Sequence, residues 1–138
     1  MELSINTFLI DTNILIDYLA DALPTSGVDI IEEIIEKKLN ISVITQIEFL
    51  GWHGHTELSK IAAEEIVENA SIIHLTPDII SDTIYLKQQM RVKTPDAVIA
   101  SSSRVHHMTL ITGNDSHFRK IPGVTLYNPW NNIDSLNS

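Results

Sequence analysis

Apolar residues along this chain switch repeatedly between short unbroken runs and helical spacing. The run Phe8 to Ile10 predicts a strand, and Asn13 to Ala20 a short helix that stops near Pro24 and Gly27. Ile30, Ile31, Ile34, Ile35 and Leu39 fall on one helical face. "NISVIT" is short and β-branched and predicts a strand; "TQIEFLGW" predicts a helix ending near Gly54, and Leu58 to Asn69 another. "SIIHL" predicts a third strand, Asp78 to Met90 a helix after Pro77, and "PDAVIASSSRVH" a further helix. "MTLIT" and "VTLYNP" supply the last two strands. Strands that alternate with one or two helices predict a mostly parallel sheet of about five strands, covered on both faces. No repeat, linker or low-complexity stretch interrupts residues 1–138, so a single domain is expected.

The pattern leaves an acid at several strand ends. Asp11 follows the first strand at once, Glu48 lies just past the second, and Asp115 follows the strand ending near Thr112. Each has an ordinary structural reading. Asp11 can cap a helix. Thr45-Gln46-Ile47-Glu48 fits a capping box. Asp96 follows Thr94-Pro95 and suits a helix N-terminus, and "TGND" is a turn. Their joint placement adds something. In a parallel sheet all strand C-termini lie on one edge, where ligands bind. Asp11, Glu48 and Asp115 would meet on that rim, and Asp96 joins them when its helix starts there. Carboxylates gathered in a cleft repel one another. A hard divalent cation such as Mg²⁺, which prefers oxygen ligands, would offset that repulsion.

Composition narrows the classes. The formal charge is −9, which argues against a general nucleic-acid coat. Yet of nine basic residues, Lys87, Arg91, Lys93, Arg104, Arg119 and Lys120 all lie late in the chain, which allows one locally basic surface. Arg91 and Lys93, just before Asp96, are candidates for phosphate contact, with plain solvated charge an equal reading. There is no cysteine, hence no disulfide framework and no thiolate metal site. The N-terminus lacks a signal-peptide pattern and no apolar run has the length of a membrane span, so a cytoplasmic protein with no membrane partner is expected.

"FLIDTNILIDYL", "ITQIEFLG", "TPDAVIAS", "LITGNDSHF" and "GVTLYNPW" together resemble the PIN domain family, in particular its VapC-like toxin ribonucleases. The resemblance covers nearly the whole chain. It implies a three-layer α/β/α fold, often dimeric, that cleaves RNA with Mg²⁺ or Mn²⁺ and pairs with a cognate antitoxin protein. Carried over by position, Asp11, Glu48 and Asp96 would be the catalytic acids and metal ligands, with Asn13 of "DTN" in support. The family often reads Thr, any residue, then Asn or Asp, with a further Asp before Phe. Here Thr112 and Asn114 match, but His117 stands before Phe118. Asp115, one residue off the usual acid, is the expected fourth acid and metal ligand, with Thr112 and Asn114 supporting it. The departure leaves one metal ion or two open.

Other readings are weaker. His53 and His55 in "WHGH" do not share a helix face, and His106 and His107 suit a helix C-terminus. Trp130 reads as a packing anchor. A dehalogenase-type phosphatase needs an acid two residues after Asp11, where Asn13 stands, and a receiver domain needs a lysine that "LITGND" lacks. The remaining alternative is a catalytically weak or inactive PIN-like binding module.

Overall fold

The computed structural model describes residues 7–131; part of the N-terminal segment read for a targeting signal lies outside that range, as do the chain's last residues. The elements run β1 (Phe8–Ile10), α1 (Thr12–Leu19), α2 (Thr25–Lys37), β2 (Asn40–Ser42), α3 (Val43–Leu50), α4 (Glu57–Glu68), β3 (Ser71–Ile73), α5 (Pro77–Gln89), α6 (Thr94–Val105), β4 (Thr109–Ile111), α7 (Asp115–Phe118) and β5 (Thr125–Tyr127).

The three-residue strands are too short to alternate usefully against water, and β1 is buried on both faces. Phe8 and Ile10 face one core, shared with Ile14 and Leu15 of α1, Ile31 and Ile34 of α2, Phe49 of α3 and Val67 of α4. Leu9 faces the other, with Ile79 and Leu86 of α5, Val98 and Ile99 of α6, and Phe118 of α7. Helices thus cover both faces of the strands, which is the expected α/β/α arrangement. Among the described residues no helix is long and apolar enough to cross a membrane.

All paired strands are parallel. The single five-stranded sheet is corrected in one respect: hydrogen bonding divides it into β1-β4-β5 and β2-β3. β2 runs beside β1 without a ladder. At this seam the buried Asn40 side chain donates from Nδ2 to the Phe8 carbonyl at 3.1 Å. A side chain therefore substitutes for a missing ladder bond where backbone groups still need partners.

Helix starts depart from expectation in informative ways. The expected strand "NISVIT" ends at Ser42, whose hydroxyl accepts from the Ile44 N–H at 3.0 Å and caps α3. Val43 and Ile44 are helical despite their β-branching, and no Thr45–Glu48 capping box forms. α6 starts one residue early, with Lys93 at the N-cap and Thr94 and Pro95 in the first turn. Asp115 opens the four-residue α7 and is not part of an open turn. Capping at α4 is reciprocal between Thr56 and Ser59, and Thr76 caps α5 ahead of Pro77.

Candidate active site

Asp11 is placed by backbone and side chain together. Its N–H donates to the Ile111 carbonyl at 2.9 Å, carrying the β1–β4 pairing one residue past the strand. As N-cap of α1, Asp11 accepts from the Thr12 N–H through Oδ1 at 2.8 Å. Oδ2 accepts from the Thr112 hydroxyl at 2.7 Å, and Thr112 Oγ1 accepts in turn from the Asn114 N–H at 2.9 Å. The expected helix-capping role of Asp11 and its position on the rim are therefore the same geometry.

Glu48 is held from the neighbouring helix. Thr12 Oγ1 lies 2.8 Å from Glu48 Oε1 and 3.1 Å from Thr45 Oγ1. With its one hydrogen given to the carboxylate, the Thr12 hydroxyl accepts from the fully buried Thr45. Thr45, expected at a helix cap, instead supports the residue that orients Glu48. Asp96 sits in the first turn of α6, and its Oδ2 lies 3.5 Å from Nδ1 of the half-exposed His117.

These groups line one open cleft of about 340 Å³. Asp11, Glu48 and Asp96 are on its wall with Thr12, Asn13, Asn114 and His117, and Ile16, Trp52, Lys93 and Pro95 complete it. Burial pushes the Asp11 carboxyl above its ordinary value of 3.8; the bonds from Thr112 and Thr12 oppose this, and the negative charges of Asp96 and Glu48 add to it. Among the described residues no Lys or Arg forms an ion pair with any of the three acids.

Asp115 is not brought to this cleft. Its Oδ1 accepts from Asn128 Nδ2 at 3.0 Å, and its Oδ2 accepts from Asn131 Nδ2 at 3.0 Å and lies 3.2 Å from Arg119 Nη2. The reason is local: Asp115 opens α7 with its side chain turned toward the segment after β5, and Asn114 before it and His117 two residues on face the acids. The expected fourth carboxylate is thus replaced in the cleft by an amide and an imidazole. Thr112 is present through Asp11. Arg91 lies outside the cleft, in an adjoining groove that shares Lys93, Asp96 and His117 with it.

His53 is an exposed loop residue. His55 is structural, its Nε2 2.7 Å from the Phe49 carbonyl and its Nδ1 2.9 Å from Ser59 Oγ. Trp130 packs against Gly113, where a Cβ would meet its ring at 2.8 Å. Sequence reasoning missed Trp52 as a cleft residue. Trp52 lies just past the Gly51 C-cap of α3, and only the tertiary turn after that helix brings it to the cleft.

The donor set suits a hard divalent cation: carboxylate and amide oxygens, no sulfur, and a buried acid whose charge the protein leaves unneutralised. Among the described residues no three His, Asp or Glu side chains close into a ready-made cage. An ion that keeps several of its waters does not require one.

A family model described as the PIN domain matches residues 8–124. Among solved structures, the chain is similar to a toxin–antitoxin complex from Klebsiella pneumoniae, with 28% identity, a TM-score of 0.67 and coverage of 88% of this chain and 96% of that one. It is also similar to VapBC-1 from nontypeable Haemophilus influenzae, with 26% identity, a TM-score of 0.69 and coverage of 89% and 98%. VapBC2 from Rickettsia felis, bound to a DNA fragment from its promoter, shares the fold at 21% identity, with a TM-score of 0.70 over 88% and 97% of the two chains. No curated protein matches the chain.

Proposed function

The chain belongs to the PIN domain family of nucleases, and from that premise we propose that it is a Mg²⁺- or Mn²⁺-dependent endoribonuclease serving as the toxin of a toxin–antitoxin pair. The observation that carries the reading is the grouping of Asp11, Glu48 and Asp96 on one cleft, with no lysine or arginine ion-paired to them among the described residues, at the C-terminal edge of parallel strands.

Asp11, Glu48 and Asp96 would hold the ion, with Asn114 offering a neutral oxygen beside them. When bound, a divalent cation supplies charge stabilisation at the phosphate and activates water near neutral pH. The protein's own groups do the positioning. Thr112 and the Thr12 N–H fix both oxygens of Asp11, so its carboxylate cannot rotate freely. The Thr12 hydroxyl points Glu48 into the cleft. His117 restrains Asp96 on its outer side. Asn13 stands exposed at the rim, within reach of an entering substrate.

The likeness to toxin–antitoxin complexes supports an antitoxin protein as the physiological partner, and the resemblance supports a homodimer. Absence of the fourth carboxylate favours a single ion. It is also the observation that would support the alternative of a weakly active binding module.

The test is cleavage of a labelled RNA with Mg²⁺ or Mn²⁺. Activity that continues undiminished in excess EDTA would rule out the metal mechanism, and no cleavage under any metal would leave the binding module.

A further inference from the structure

The outer groove beside the acids has a composition unlike the rest of this acidic protein. It is lined by Arg91, Lys93, Lys120, Ser116 and His117, with Asp96 at its inner end. It continues outward to Lys87, past Met90 and Val92, with no acid on that stretch. Inward it opens into the acid cleft, since Lys93, Asp96 and His117 belong to both. The strip is also braced. Lys120 Nζ donates to the Arg91 carbonyl at 2.6 Å, and Lys87 Nζ donates to the Val92 carbonyl at 3.0 Å. The segment between α5 and α6 is thus tied from both sides, with the ammonium groups on its surface and protons to spare.

Trp52, half-buried, lines the acid cleft together with Glu48 and is absent from the basic groove. Its ring meets His55 edge-on at a centroid distance of 5.1 Å. It also covers Gly54 so closely that a Cβ there would lie 2.4 Å from the indole. The ring is therefore held in place by its neighbours. A cationic groove that opens into a cleft lined by a fixed indole is the combination that holds a single strand, by phosphate contact and by base stacking.

Resting on the nuclease reading above, we propose that one strand of RNA crosses the site from the basic strip to Trp52. Arg91, Lys93 and Lys120 hold the phosphates on the strip, and the base beside the reacting phosphate stacks on the Trp52 indole. This arrangement reads backbone and stacking and no base-edge pattern, so it selects single strands over duplex and tolerates many sequences. An acidic protein segment would satisfy the cations but leave the indole unused, and the reaction requires a phosphodiester to reach the acids.

The experiment is fluorescence anisotropy with a labelled oligouridylate, in EDTA, so that binding is read without cleavage. The expected slope of log affinity against log salt is about −2 for three phosphates, and Arg91→Gln with Lys120→Gln lowers its magnitude by about 1.4. Trp52→Ala weakens binding roughly ten- to hundredfold without altering the slope, and Trp52→Phe restores most of it. Lys93→Gln, at an exposed position, repeats the charge test should the double variant lose its fold by circular dichroism. The proposal is overturned by an unchanged slope in the charge variants, by an unaffected Trp52→Ala, by equal affinity for duplex, or by displacement of the oligonucleotide with a polyglutamate peptide at matched charge. Loss of metal-dependent cleavage with this binding pattern intact would sink the nuclease reading alone. Cleavage with the pattern absent would sink the track alone.

Discussion

The Thr112 hydroxyl donates to Asp11 Oδ2 at 2.7 Å across 101 positions of sequence, joining the end of β4 to the end of β1. The bond holds a carboxylate whose proton affinity is raised by burial first and by two neighbouring acids after it. Asp11→Asn is expected to remove metal-dependent cleavage, because an amide oxygen is a poorer ligand for a hard cation. The same variant should make the metal-free protein more stable at pH 7, since it removes a charge from a buried site. Calorimetric melting in EDTA measures the stability change, and an RNA cleavage assay the activity.

That stability difference should depend on pH in a defined sense. The folded-state pKa of Asp11 lies above the unfolded value near 3.8. Its contribution to stability is therefore full below that value and is lost as pH rises through the folded-state pKa. The melting temperatures of wild type and Asp11→Asn should converge in acid below about pH 4 and separate toward neutrality. Curves that run parallel across the whole range would contradict the assignment of the shift to Asp11.

Asp115 should behave as a structural residue. Its carboxylate gathers Asn128, Asn131 and Arg119, so Asp115→Ala is expected to cost about 1–2 kcal/mol of stability in urea unfolding. Cleavage per folded molecule should change little. Asn114→Ala, which alters the cleft wall, should reduce metal affinity in calorimetric titration and leave stability nearly unchanged.

Thr12→Val removes the hydroxyl between Glu48 and the buried Thr45. The expected result is a loss of about 1–2 kcal/mol, since Thr45 is left without that partner, together with weaker metal binding. Thr12→Ser, which keeps the hydroxyl, should restore the metal affinity, and isothermal titration of the two variants tells them apart.

Much of the architecture was legible because periodicity reports burial. The strand cores, the helices and their parallel order follow from apolar runs alternating with helical stripes, and Asp11 from its place at a strand end. What was not legible depended on local competition. Val43 and Ile44 favour strands by themselves, yet the Ser42 cap and the packing of Phe49 draw them into α3. Asp115 and Asn114 are neighbours of similar chemistry. Which one faces the acids is decided by the start of α7 and by Asn128 and Asn131, partners far along the chain. Trp52 was hidden because an indole just after a helix is ordinarily packing, and only the folded chain shows it lining the cleft.

Asp11 directly follows β1, and Glu48 lies in α3, the helix that follows β2, so the two carboxylates are carried by strands between which the ladder is interrupted. No ladder bond therefore sets their relative placement. It is gauged by the Asn40 amide at one level and by the Thr12 and Thr45 hydroxyls at the next. A jaw whose opening is set by exchangeable side chains can be re-cut for a smaller or larger ion while both ladders stay as they are. Mg²⁺, which demands near-ideal octahedral geometry, would feel such a change before a less exacting ion did.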